Sequence, residues 1–151
     1  MNKINKKDLY FVFVQFALFV CYLFPVGTFS IQAGDLMNYI GLSAAIAGLL
    51  IIVVSIIQLN KNLTPFPTPL KDGTLIQNGL YKYARHPIYT GIILFAIGLG
   101  LFLDSIWKIG IGFALTILFY FKSNYEEKLL MIQYPDYLMY QKRTARFFPF
   151  F

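Results

Sequence analysis

The chain has 151 residues, 58% of them hydrophobic and 19% aromatic, with only 13% charged. A soluble domain carries about 25% charged residues, so the composition excludes an ordinary soluble fold and describes one compact integral membrane domain. The formal net charge of +6 does not point to nucleic acid. The basic residues form no stripe on a soluble face and fall instead between apolar runs, which is the membrane pattern.

The first apolar run, residues 9–26, follows Lys3, Lys6 and Lys7. It is longer than the 7–15 residues of a signal-peptide core and lacks a small-x-small cleavage site, so it reads as a retained span. Cys21, the only cysteine, lies inside it. It can form no intramolecular disulfide and reads as a packed or lipid-facing thiol. The second run covers 37–59, the third 88–103 and the fourth 106–121. A helix needs roughly 20 residues to cross the bilayer. The first two runs fit that length, and the last two are shorter, forming a tight hairpin at Asp104-Ser105. Every Lys and Arg except Lys108 lies before the first run, between the second and third, or after the fourth, and residues 27–38 carry none. The positive-inside rule then places both termini and the middle loop in the cytoplasm.

The middle loop, 60–87, exceeds what a helix connection requires. Pro65, Pro67 and Pro69 keep their stretch extended, because each bars its predecessor from the helical region. Asp72-Gly73 and Asn78-Gly79 are turn signals, the latter consistent with a short hairpin. After the fourth run a helix continues through about Gln133 and breaks at Tyr134-Pro135-Asp136, where Pro135 and Asp136 suit the start of another. That second helix mixes Tyr137, Leu138, Met139 and Tyr140 with Lys142, Arg143 and Arg146, an interfacial composition. Residues 147–151 supply an aromatic anchor.

Ionisable groups cluster at two places. Arg85 and the only histidine, His86, precede Pro87 at the start of the third run; Glu126 and Glu127 follow the fourth. Charges are kept near a bilayer mainly where they line a site, so both clusters belong to one polar site. Taken alone, His86 reads as a packed histidine. Its place at a helix entrance, where N–H groups favour a carboxylate, argues for function. No metal is expected, since a protein site needs three or four ligands. Glu126 and Glu127 point about 100° apart on a helix and are no matched acid/base pair. They read either as surface partners of Lys122 or Lys128 or as a receptor for a cation or hydroxyls. Gly98 and Gly100 permit close approach of a helix or ligand. Phosphate loops, nucleophile elbows and His-Glu-x-x-His motifs are absent from the sequence.

These pieces together resemble a known family. They are Asn60-Lys-Asn-Leu-Thr-Pro65, Gly79-Leu-Tyr-Lys-Tyr-Ala-Arg-His-Pro-Ile-Tyr-Thr-Gly91, Glu126-Glu-Lys-Leu-Leu130, Tyr134-Pro-Asp-Tyr-Leu-Met-Tyr140 and Arg143-Thr-Ala-Arg-Phe-Phe-Pro149. In this order they resemble the isoprenylcysteine carboxyl methyltransferase / phospholipid methyltransferase family, over residues 60–149. Leu80 departs from the family, which usually has Pro there. The resemblance implies an integral membrane enzyme using S-adenosylmethionine. It implies that Arg85, His86, Pro87, Tyr89, Gly98, Gly100, Glu126 and Glu127 bind the cofactor, and that Tyr140, Arg143 and Arg146, with Tyr137, line the catalytic site. His86, Arg85 and helix N–H groups would suit the cofactor's carboxylate, and Glu126 or Glu127 its ammonium or hydroxyls.

The expectation is an all-α polytopic bundle of about four transmembrane helices plus a C-terminal interfacial helical segment. It forms a single domain, 1–151, with two generic spans in 1–59 and the cofactor-binding part in 60–151. It would methylate a lipophilic acceptor among membrane lipids: an isoprenylcysteine-like carboxylate, a phospholipid amine or a small lipophilic molecule. The alternatives are an NADPH-dependent sterol-type reductase and a non-catalytic scaffold. The acceptor and the oligomeric state are not legible.

Overall fold

The computed structural model describes residues 5–24, 30 and 34–147. Those residues form five α-helices: α1 (Lys6–Leu23), α2 (Asp35–Leu59), α3 (Pro87–Phe102), α4 (Ile106–Gln133) and the short α5 (Tyr137–Gln141). No strand occurs among them, only two isolated bridges. The fold is all-α, as expected. Half of the 27–38 loop, and residues 148–151 of the aromatic anchor, lie outside the described residues.

α1 begins ahead of its apolar run because the Asp8 carboxylate accepts the Asn5 backbone N–H at 2.9 Å, satisfying a first-turn donor. α2 and α3 touch backbone to backbone. A Cβ built on Gly48 would fall 2.6 Å from the Gly91 carbonyl, and one on Gly98 would fall 2.6 Å from the Ala45 nitrogen. Small residues permit this approach between helices in lipid. α3 opens on Pro87, a favoured first position, with His86 as its cap. The chain then turns through Asp104, at φ 50°, and the Ser105 N–H donates to the Gly100 carbonyl at 2.9 Å. α4 follows as one 28-residue helix, about 42 Å long. It is apolar to Phe121 and then carries a polar extension in which Lys122, Ser123 and Glu127 are buried.

The inner core is Tyr22, Ala96, Ile111, Leu115 and Phe119. Large apolar side chains such as Phe13, Val20, Leu50 and Ile57 face outward from α1 and α2, far more than an aqueous surface tolerates. Two helical segments are both long and apolar enough to cross a bilayer, Asp35–Asn62 and Ile106–Gln133. α3 is apolar but has 16 residues, about 24 Å against a core of about 30 Å.

Three local expectations change. Asn78-Gly79 makes no hairpin: Gly79, at φ 59°, opens a 3₁₀ turn, Gly79–Lys82, and Leu80 N–H donates to Gln58 Oε1 at 2.9 Å. The C-terminal helix is no long interfacial element. α5 has five residues, and its Tyr137 and Tyr140 are 1% and 4% exposed. The tail beyond it folds back along the middle loop, with Arg85 N–H donating to the Ala145 carbonyl at 2.9 Å and Ala145 N–H donating to the Tyr83 carbonyl at 3.2 Å.

Candidate active site

The two polar clusters of the sequence meet. Glu127, on the polar extension of α4, has a side chain 2% exposed and four partners. Its Oε1 accepts Arg85 Nε at 2.8 Å and lies 3.2 Å from His86 Nε2. Its Oε2 accepts Gln141 Nε2 at 3.0 Å and Arg146 Nη2 at 3.1 Å. Burial pushes this carboxyl up, but the hydrogen bonds and charges of His86 and Arg85 outweigh it and hold it at about 2. Arg85 is tied further to the carbonyls of Gln141 at 3.2 Å and of Thr144. One carboxylate thus fastens the middle loop, the α3 cap, α5 and the tail together.

Glu126 is different. Its Oε2 accepts the Tyr89 hydroxyl at 2.7 Å and lies 3.8 Å from His86 Nδ1, and its side chain stays 24% exposed. Its Oε1 is free. His86 stacks on Tyr89 with ring centres 5.2 Å apart, and Tyr89 stacks on Phe119 at 4.5 Å. The imidazole plane is therefore fixed from within the helical core.

Beside these groups lies a cavity of about 350 Å³ whose wall includes His86, Pro87, Tyr89, Lys122, Glu126 and Tyr137. That volume is within the range of small-molecule sites. The middle loop roofs it. Thr68 Oγ1 donates to Asp8 Oδ2 at 2.7 Å, Gln133 Nε2 to the Leu70 carbonyl at 2.6 Å, and Lys122 Nζ to the Pro65 carbonyl at 2.9 Å. The buried Tyr137 hydroxyl, in the wall, has no partner, and burial followed by the Glu127 charge pushes its pKa up. The Tyr140 hydroxyl is spent on the Tyr81 carbonyl at 2.5 Å, with its pKa pushed up to about 12 by burial.

Arg85, His86, Pro87, Tyr89 and Glu126 reach the cavity and Glu127 stands directly behind it. Gly98 and Gly100 do not; they pack on α2 and on Ile109 of α4. Gly98 stands twelve residues beyond His86, about 18 Å along the helix. Arg143 and Arg146 also stand outside. Arg143 donates to the Met139 carbonyl at 3.2 Å on the surface. Arg146 is held by Glu127 and lies over the Tyr120 ring at 5.3 Å.

Of the tail residues the resemblance implied, Tyr137 does reach the cavity; sequence reasoning missed Lys122 and Gln15 as wall residues. Lys122 is 1% exposed and donates to Gln15 Oε1 at 2.6 Å, with no carboxylate within 4.0 Å. A Glu126–Lys122 pairing, one of the alternatives open from the sequence, is not made within 4.0 Å. A lysine at the end of an apolar run, one turn from a glutamate, was the available signal. Gln15 shows that α1, generic by composition, contributes to the wall. Among the described residues no three His, Cys, Asp or Glu are grouped as a metal would need.

The helices and their buried polar end define a helical membrane protein with a ligand-sized cavity at that end. Residues 36–136 match the phospholipid methyltransferase family, and the chain belongs to that family. It is 32% identical over 80 residues to the protein-S-isoprenylcysteine O-methyltransferase of Homo sapiens, covering 51% of this chain and 28% of that one. It is 30% identical over 80 residues to the cobalt-zinc-cadmium resistance protein CzcN of Cupriavidus metallidurans, covering 52% of this chain and 37% of that one. The matches thus span less than two-fifths of these relatives. The solved structure of a eukaryotic intramembrane Ras methyltransferase, isoprenylcysteine carboxyl methyltransferase, superposes with a TM-score of 0.72 at 24% identity. That match covers 98% of this chain and 55% of that one, and the two share a fold.

Proposed function

We propose that this chain is an S-adenosylmethionine-dependent methyltransferase acting on a lipophilic acceptor. The observation carrying the reading is a cavity at the polar end of α3 and α4 lined by Glu126, by the unpartnered Tyr137 hydroxyl and by Lys122, whose ammonium gives N–H groups to Gln15 and the Pro65 carbonyl and meets no carboxylate among the described residues. The cofactor supplies an electrophilic methyl group on a sulfonium. Glu126 is placed to hold its ammonium, and His86 with the first-turn N–H groups of α3 to receive its carboxylate. Methyl transfer is in-line displacement, so positioning and exclusion of water supply much of the rate, and the roof over the cavity serves both.

The charge balance favours this over NADPH. A phosphorylated dinucleotide needs several free cations, whereas Arg85 and Arg146 are already held by Glu127, and Lys122 is the cavity lysine without a carboxylate partner. Lys122, rather than Arg143 or Arg146, is the residue facing any anionic group that enters. We read the bundle as four crossings with both termini cytoplasmic, α3 completing its span with flanking residues.

Calorimetry in detergent tests the reading: S-adenosylmethionine should bind, NADPH should not, and Glu126→Gln should weaken binding by roughly 10- to 150-fold, the loss of one charge-assisted hydrogen bond. Binding of NADPH would support the reductase, and binding of neither a scaffold.

A further inference from the structure

A second cleft opens between α1 and α4, at the same end of the bundle as Glu127 but on the outer surface. Lys6, Lys7 and Lys128 line it, with Tyr10, Phe11 and Tyr125. All three lysines are exposed, and among the described residues none has a carboxylate within 4.0 Å. The acid nearest in sequence, Asp8, is fully buried and turned inward onto Thr68, and the cleft's lining holds no carboxylate of its own. Lys7 Nζ lies 5.9 Å from the centre of the Tyr125 ring, and Phe11 stacks on that ring at 5.8 Å. The cleft therefore joins a positive floor to an aromatic wall that continues through Phe121 onto the apolar face of α4. A ligand that fits has a negative head and an apolar tail, and lies along the helices.

We propose that this cleft holds an anionic phospholipid of the surrounding bilayer, its phosphate on the three lysines and its chains against Phe11 and Phe121. The site is separate from the cavity and stands whether or not methyl transfer does. Its occupant has structural leverage. α1 meets the bundle chiefly along α4, and α1 supplies Gln15 and Asp8 to the cavity wall and roof. A lipid wedged in this seam ties α1 to α4 from outside.

The full chain is purified in a neutral detergent, and its melting temperature is measured against increasing phosphatidylglycerol or phosphatidylcholine. Phosphatidylglycerol should raise the melting temperature saturably, and phosphatidylcholine should not. The Lys6→Gln/Lys7→Gln/Lys128→Gln variant should need on the order of a hundredfold more phosphatidylglycerol, since each lysine at an anionic surface contributes about a factor of five. The Lys61→Gln/Lys71→Gln/Lys82→Gln variant, with equal charge loss elsewhere, should respond like the unmodified chain. If the first variant does not fold, 0.5 M salt on the unmodified chain replaces it and should abolish most of the phosphatidylglycerol response. Equal responses to the two lipids, an equal loss in the second variant, a salt-insensitive response, or an equal rise with inorganic phosphate alone would each overturn the proposal.

Discussion

Glu126 and Glu127 are neighbours with opposite duties, and replacing each by Gln should separate binding from stability. Glu127 is 1% exposed and neutralises Arg85 and Arg146 through its two oxygens. Removing one partner of a buried ion pair costs roughly 3–5 kcal/mol. Its depressed acidity gives a second route: a carboxyl held at about 2 rather than 4.5 is stabilised in its charged form by about 3 kcal/mol, at about 1.4 kcal/mol per pH unit. At 2–4 °C per kcal/mol for a chain of this size, Glu127→Gln should lower the melting temperature by about 6–12 °C in detergent. It should also expose the tail to limited proteolysis near Arg143. Glu126→Gln should melt within about 2 °C of the unmodified chain, since an amide oxygen can still accept the Tyr89 hydroxyl and only the 3.8 Å approach to His86 loses its charge; on the proposed function it should lose cofactor affinity. The pH dependence has a definite sign. Because the folded carboxyl titrates below the unfolded one, the Glu127 contribution is whole above pH 4.5 and is lost as pH falls towards 2. The reasoning fails if Glu127→Gln melts with the unmodified chain, or if Glu126→Gln melts as low as Glu127→Gln.

Tyr137→Phe should leave the melting temperature nearly unchanged, because its hydroxyl has no partner, and should weaken ligand binding in calorimetry. Tyr140→Phe should instead destabilise by about 1–3 kcal/mol, by leaving the Tyr81 carbonyl unpaired, as read by thermal melting. Gly48→Ala should destabilise more than Gly110→Ala, since the new methyl meets the Gly91 carbonyl at 2.6 Å in the first and open space in the second; equal melting temperatures would contradict the close α2–α3 seam. In a background with Cys21 replaced, an impermeant thiol reagent should label Gly34→Cys from outside intact cells and leave Lys71→Cys unlabelled; the reverse pattern would invert the topology.

The apolar runs announced the four longer helices within a few residues, because long apolar stretches set apart by charges and turn signals have few other uses. The end of α4 was legible too, since Pro135 suits a helix start and not a helix middle. Arg85, His86, Glu126 and Glu127 stood out as ionisable groups beside apolar spans, and they converge. The division of labour between the glutamates was not legible, because adjacent residues differ only in which way the helix turns them. Gly98 and Gly100 failed for a related reason: a glycine signals close approach without naming what approaches, and here helices do. Arg143 and Arg146 suggested a substrate anchor, but the tail's return along residues 83–86 depends on backbone pairing across 60 to 62 residues, which local pattern does not encode. Lys122 was hidden because its partners, Gln15 and the Pro65 carbonyl, are uncharged and distant in sequence.

The four-partner carboxylate also has a kinetic meaning. Its bonds to Arg85 and His86 close sequence separations of 42 and 41 residues, and those to Gln141 and Arg146 close separations of 14 and 19. Loop-closure entropy must be met before such contacts return anything. The helices and their glycine seam can form earlier, while the polar end waits for every segment to arrive. A chain whose spans are inserted but whose tail has not docked would already be helical and membrane-embedded, yet have no site. On the proposed function, ligand binding reads out complete folding, and a misassembled copy would be silent.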